Sequence, residues 1–304
     1  MIKEDLYHQI NKVETVANLS KLGRLMKNPF KYIYAIAFRK LIYPAKKQES
    51  VVSTDLFYKR KMKIALPAAT DIYLTGGKSH DSEIRLAKFL ILNLNDSDHF
   101  LDVGAHFGYF TLLGSEIVGV KGKVFSYEPA SKSFNILKAN VSFIENISIF
   151  NKAVSSSNNK VRFFEFPTPY SEFNSSEITQ FEKEEWFKGS QPVKTEVEAT
   201  TIDQIINEFD FKPHIIKIDV EGSEYEVIKG GEEFFKTGFP SIVIEYLEQS
   251  RHNKTHRKAA EFLRSIGYTS NLIKKDGTLE RVDKIEDHLS TNGLESDNIV
   301  FTKL

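Results

Sequence analysis

The chain has 304 residues, 41% of them apolar and 24 of them phenylalanine, enough for a sizeable core in one large α/β domain with extensions or in two small domains. Its 41 basic side chains balance 41 acidic ones, so no global field draws it to nucleic acid, and no such partner is expected. The absence of cysteine excludes a disulfide framework, a thiolate nucleophile and a thiolate metal site, and it permits a reducing cytoplasm, the expected location.

Residues 1–60 read as a basic, aromatic helical extension to a domain spanning 61–304. No apolar run reaches the length of a membrane helix, and the start lacks the charged-then-apolar pattern of a secretory signal. Between Glu14 and Glu49 there is no acid, while Lys21, Arg24, Lys27, Lys31, Arg39, Lys40, Lys46 and Lys47 accumulate. Within that stretch PFKYIYAIAFRKLIYP has the character of an interfacial helix, so residues 21–47 would touch anionic lipid at the inner face of a membrane. The plainer reading, which is preferred here, buries Ile33, Ile36, Ala37 and Leu41 as the core-facing stripe of an ordinary helix, packed on the domain or on a second copy in a homo-oligomer.

MKIALP and TDIYLT then read as short strands capping a sheet, followed by a turn at Gly76 and Gly77. A helix over SHDSEIRLAKFLILNLN carries Ile84, Leu86, Ala87, Leu90 and Leu94 mostly at helical spacing, with Asp81 as N-cap. Its N-terminus would cover a ligand. Glu83 could meet that ligand, but surface stabilisation by the helix dipole is the expected role.

The densest signal is FLDVGAHFGYFT, where an apolar run ends in Asp102 and passes into two glycines, Gly104 and Gly108, before a helix. Such a turn lets the backbone approach a ligand and aims the free N–H groups of a helix into the space beyond it. A second apolar run, VFSYEP, ends at Glu128, where a carboxylate can receive the hydroxyls of a ribose. The loop lacks the closely spaced glycines that admit a pyrophosphate, so S-adenosylmethionine suits it better than a dinucleotide. The cofactor set is Asp102, Gly104, Ala105, His106, Gly108, Glu128 and Pro129, with Ser155 at the adenine edge and Asp219 on the next loop.

Strands at 100–104, 124–128 and 147–151 alternate with helices at 109–118 and 131–143, which predicts a parallel sheet. VRFFEF and VKTEVEAT favour β structure and bracket an irregular insertion near 167–192, a candidate substrate lid. Alternation resumes with strand 214–219, helix 224–235, strand 241–246, helix 254–266 and strands near 268–273 and 298–302, the last expected to insert antiparallel. Ligands gather at strand carboxyl ends, so Asp102, Glu128, Asp219 and Glu245 should share one rim. For a base that accepts a hydroxyl proton, Asp219 and Glu221 come first, then Glu245, His106 and His252. The spacing of these acids does not identify a metal site, and no obligatory metal is expected.

FLDVGAHFGYFTLL, VFSYEP, the TTID before a helix, KIDVEGSE and IVIE together resemble, in order and spacing, the FkbM-type methyltransferases. The resemblance spans residues 100–246. It implies a Rossmann-like class I fold with a doubly wound, mostly parallel sheet, S-adenosylmethionine as cofactor, and O-methylation of a sugar hydroxyl in a glycan or glycolipid, or of a polyketide-type metabolite. His106 departs from the asparagine usual there. A nicotinamide-dependent oxidoreductase and a non-catalytic glycan-binding scaffold are the competing classes.

Overall fold

A computed structural model of the chain describes residues 2–178, 181, 184–190, 192–251 and 253–303. The N-terminal part runs α1 (Ile2–Ala17), α2 (Lys21–Lys27), α3 (Pro29–Ala37), a π-helical turn (Phe38–Ile42) and α4 (Tyr43–Lys46). Ser20 and Asn28 start α2 and α3 by accepting from the N–H groups of Gly23 and Lys31. Leu6, Ile10 and Val13 of α1 are buried in the main core, so this helix is part of the domain rather than an appendage.

Two strands follow, β1 (Ser50–Asp55) and β2 (Lys61–Leu66), paired as an antiparallel hairpin apart from the main sheet. The hairpin spans the expected boundary at residue 60 and puts a strand where the extension was read as helical. TDIYLT, expected as a strand, is the helix α5 (Thr70–Thr75). Its β-favouring residues mislead because tertiary placement decides: the N–H groups of Tyr73 and Gly76 find carbonyls at Ala69 and Ile72, and Gly76 closes the turn at φ +79°. In α6 (Asp81–Asn93) the N-cap is His80, one residue earlier than expected, and Asp81 instead holds Arg85 Nε at 2.7 Å.

The Rossmann-like core begins with β3 (His99–Val103), α7 (Tyr109–Val118), β4 (Lys123–Tyr127), α8 (Ser131–Val141) and β5 (Ile147–Phe150). Beyond a short β6 (Ala153–Val154) comes β7 (Val161–Glu165), then the insertion with a 3-10 segment (Thr168–Phe173) and α9 (Glu185–Lys188). β8 (Val193–Val197) pairs antiparallel with β7 and closes the insertion, and β9 (Ala199–Thr200) pairs with β6. The chain continues through α10 (Ile202–Phe209), β10 (Ile215–Ile218), α11 (Glu224–Lys229), α12 (Glu232–Thr237) and β11 (Ser241–Leu247). It ends with α13 (Lys254–Ser265), β12 (Thr269–Ile273), β13 (Leu279–Arg281), α14 (Ile285–Asn292) and β14 (Ser296–Thr302).

The helix expected over 224–235 is two helices broken at Gly230 and Gly231. A Cβ on Gly230 would stand 2.0 Å from the carbonyl oxygen of Ser155, so the chain bends where two backbones touch. The main sheet has the order β13-β12-β14-β11-β10-β3-β4-β5, parallel from β11 through β5, with β14 antiparallel to both of its neighbours. This is the expected doubly wound sheet with its antiparallel closing strand. Alternate residues of each strand enter two cores: Phe100, Val124 and Ile215 face α1, α6, α7 and α8, while Leu101, Phe125 and Ile216 face the helices that follow β9. The strand order reverses between β3 and β10, and the crevice at their carboxyl ends is where such sheets hold ligands.

Candidate active site

The loops after β3 and β10 meet at the reversal point. Gly104 sits at φ +81°, and a Cβ there would lie 1.8 Å from the carbonyl oxygen of Asp219. A Cβ on Gly108 would collide with Leu137 at 2.5 Å. Gly104 is therefore required by the backbone packed against it, whereas Gly108, at φ +91°, is set by its left-handed conformation and meets only the end of the Leu137 side chain. Above this contact lies a cavity of about 1500 Å³. Its walls come from the β3 loop (His106), the β4 end (Glu128, Pro129), the β10 loop (Asp219, Glu221), β11 (Glu245), the start of α6 (Glu83), the insertion (Tyr170, Glu172, Trp186) and the N-terminal arm (Arg39, Tyr43, Lys47).

On one side Glu128 organises the glycine loop. Its Oε2 accepts the His106 N–H at 2.8 Å and its Oε1 the Ala130 N–H at 2.9 Å. Burial pushes its pKa up to about 7, against the pull of those two N–H bonds. His106 adopts φ +50°, a left-handed conformation in which histidine and asparagine are both found more often than most side chains. Its Nε2 lies 3.0 Å from Ser171 Oγ in the insertion. Burial, with help from Lys78 and against Asp219, drives its pKa down to about 3. The ring is neutral throughout the working pH range and is a poor base; it ties the insertion to the cofactor loop.

On the other side Lys217, 3% exposed, projects from β10 between two acids. Its Nζ stands 3.1 Å from Asp219 Oδ2 and 3.6 Å from Asp102 Oδ1, and 5.4 Å above the Phe110 ring. Burial opposes its charge, but Asp219 and Asp102 outweigh burial and hold the ammonium above its usual range. Burial likewise works to raise Asp219, and Lys217, Lys78 and His106 outweigh it, keeping that carboxyl below its usual range. Asp102 is fully buried, accepts from Thr111 Oγ1 at 2.7 Å and lies beneath the cavity rather than in it.

Asp219, Glu221 and Glu245 each bring a carboxylate oxygen within 4.8 Å of the others, a trio close enough to share a proton or a cation. Burial, then Glu245 and Asp219, push Glu221 well above its usual value. Burial, then Asp219, bring Glu245 up to about 8. Glu221 stands at φ +55°, and the N–H groups of Gly222 and Val220 are taken instead by Glu224, at 3.2 and 3.4 Å. Glu224 thus holds the turn, leaving Glu221 to face the cavity. The expected rim therefore gathers Glu128, Asp219 and Glu245, with Glu221 joining and Asp102 set below.

Other expected residues fall elsewhere. Ser155 donates its N–H to Thr200 at 2.8 Å, packs on Gly230 and lies off the cavity wall. Ala105 and Gly108 shape the loop without lining the cavity. His252 lies outside the described residues. Glu83 is not on the surface: it lines the cavity and pairs with Lys78 at 2.8 Å. Sequence reading missed Lys217, although a lysine inside the apolar run IIKI, next to an aspartate, signals a buried ion pair. It also missed Trp186, whose ring stacks with Tyr170 at 4.5 Å and with Phe173 at 4.9 Å, because those partners meet only through the folded insertion.

Residues 102–270 match the model of the methyltransferase FkbM domain, more than half of the chain. The chain belongs to the FkbM methyltransferase family. Over 185 residues it is 26% identical to methyltransferase sdnD of Sordaria araneosa, covering 53% of this chain and 70% of that one. The crystal structure of a methyltransferase FkbM from Methylobacillus flagellatus matches 77% of this chain at 18% identity and a TM-score of 0.41, and this chain spans only 52% of that one. A SAM-dependent O-methyltransferase of Thermotoga maritima matches 84% of this chain and 77% of its own, at 14% identity and a TM-score of 0.40.

An FkbM methyltransferase uses S-adenosylmethionine, and the donor set fits it. Each oxygen of Glu128 accepts one N–H and keeps a lone pair for a ribose hydroxyl. The acid-rich wall suits an ammonium and a sulfonium. The loop 104–106 and Pro129 complete the side on which it would rest.

Proposed function

We propose that this FkbM methyltransferase is an O-methyltransferase whose acceptor is a sugar hydroxyl of a glycan or glycolipid. The observation that carries the reading is the trio Asp219, Glu221 and Glu245, within 4.8 Å of one another and beside the loop that Glu128 organises. When bound, S-adenosylmethionine supplies an electrophilic methyl group. The protein must hold an acceptor oxygen in line and take its proton. Asp219, kept ionised by Lys217, is a weak base and a strong electrostatic anchor for cationic groups. Glu245, raised to about 8 and sharing its environment with Glu221, is the base best matched to neutral pH, and it displaces Asp219 from first place. Tyr170 and Trp186, stacked on each other at the cavity wall, would pack against the C–H side of a sugar ring.

The test is calorimetric titration with S-adenosylhomocysteine, with NAD as comparison, followed by transfer assays on glycans, nucleotide sugars and macrolides. The expected result is saturable binding of S-adenosylhomocysteine alone, weakened about tenfold or more in Glu128→Ala by loss of charged hydrogen bonds. Glu245→Gln should bind it like the wild type yet turn over roughly a hundredfold more slowly. Turnover should survive removal of divalent ions by chelator. Selective binding of NAD, or transfer to macrolides in preference to sugars, sinks the reading.

A further inference from the structure

We propose that the arm formed by residues 21–47 is a docking surface for anionic lipid, which seats the mouth of the active-site cavity on a membrane. The plainer expectation for this arm is met only in part, at Ile36 and Ala37, which are half-buried. Ile33 and Leu41, expected to face the core, are 59% and 70% exposed, and the arm is held to the domain by other groups. Ala35 and Phe38 are buried, and Lys31 Nζ reaches Thr54 Oγ1 at 3.2 Å and stands 4.9 Å over the Tyr73 ring. The apolar side chains left facing solvent along the arm are large: Leu22, Met26, Phe30, Ile33, Tyr34 and Leu41. Phe30, Ile33, Tyr34 and Leu41 recur at helical spacing, so they form one outward stripe of α3 and the π turn.

Charge selects the occupant. The arm carries eight basic side chains and no acid, in a chain whose totals balance. A second copy packed symmetrically on this face would set two such basic arms against each other. An anionic bilayer meets both components at once, taking the apolar stripe into its boundary and neutralising the flanking lysines. No helix among the described residues is long and apolar enough to cross a membrane, so the arm would lie on the surface.

Position gives the docking a purpose. Arg39, Tyr43, Pro44 and Lys47 of the same arm line the cavity. A lipid-linked acceptor would thus reach the carboxylate trio without leaving the bilayer surface. That consequence rests on the glycan reading above; the docking itself does not.

The experiment is co-sedimentation of the full chain with vesicles of phosphatidylcholine alone and with about a quarter phosphatidylglycerol. Binding is expected only to the anionic vesicles, weakening as salt rises. Two variants at exposed positions separate the components: Phe30→Ser/Ile33→Ser/Leu41→Ser, and Lys27→Glu/Lys40→Glu/Lys46→Glu. Each should bind vesicles at least about tenfold more weakly while titrating S-adenosylhomocysteine like the wild type. No binding of the wild type to anionic vesicles overturns the proposal. So does wild-type binding by the apolar triple variant, which would leave charge alone at work. Sedimentation as a dimer that the apolar variant dissociates, without vesicle binding, would assign the face to a second copy instead. Loss of S-adenosylhomocysteine binding in the wild type would strike at the methyltransferase reading and leave the vesicle result standing.

Discussion

Lys217 stands between Asp102, which is buried, and Asp219, which meets solvent on one side. Side-chain exposure is 4% for Lys217 and 1% for Asp102, against 35% for Asp219, so Asp102 suffers most if the ammonium is removed. Thr111 satisfies one of its oxygens; the other has no hydrogen-bond donor and depends on the charge 3.6 Å away. Lys217→Met should therefore cost about 3 kcal/mol in urea unfolding, less than a fully enclosed pair because Asp219 can turn to water. Adding Asp102→Asn should recover at least half of that loss, since it removes the stranded acid. Equal stability of the single variant and wild type would show that the pair is a passive ornament of β10. The same lysine shows why a site is only partly legible in a sequence. Asp219 and Glu221 stand out beside a glycine, but the lysine that keeps Asp219 ionised reads as one polar residue in an apolar run until β3 and β10 are paired.

At the scale of elements, strands and helices that fill a βαβ order were readable because their apolar periods are long and their turns carry glycine. α7 spans Tyr109–Val118, the range expected for it, with Gly108 and Gly119 at its ends. TDIYLT misled because six residues are too few for period to outweigh β-favouring side chains, and the helix at 224–235 misled because its break answers a contact with Ser155 that no local pattern records. The insertion is the extreme case: its aromatic residues stack on one another, Ser175 Oγ donates to the Glu221 carbonyl of the β10 loop at 2.5 Å, and its tie to the cofactor loop is the His106 to Ser171 bond at 3.0 Å. Losing a part-buried neutral hydrogen bond of that kind costs about 1 kcal/mol, roughly fivefold in an equilibrium constant. Ser171→Ala should accordingly raise the acceptor KM about fivefold while leaving S-adenosylhomocysteine affinity unchanged, because Glu128 still holds the His106 N–H. A parallel loss of cofactor affinity would mean the insertion shapes the cofactor site instead.

For the molecule as a whole, the concentration of acids on one sheet edge sets how stability responds to pH. Burial raises Glu128 and Glu224 to about 7, burial with Asp219 raises Glu245 to about 8, and burial with Glu245 raises Glu221 well above its usual value. A carboxyl whose folded pKa lies above its unfolded value binds more protons in the folded state. Its stabilisation is complete below the unfolded pKa and is lost as pH rises through the folded one. Burial acts oppositely on His106 and His256, lowering them to about 3 and about 4, so they destabilise the fold only as pH falls below the ordinary histidine value. Above pH ~6.5 the histidines are neutral in both states and the acids act alone. Stability should therefore fall between pH ~6.5 and ~9, by about 2 kcal/mol once the shared proton of the trio is discounted, which is a drop of several degrees in Tm. Glu245→Gln removes one of the raised acids, so its Tm should exceed the wild type's at the alkaline end and decline less across the range. A flat wild-type profile would mean that the trio is already neutralised by a bound cation, and only then would chelation steepen it.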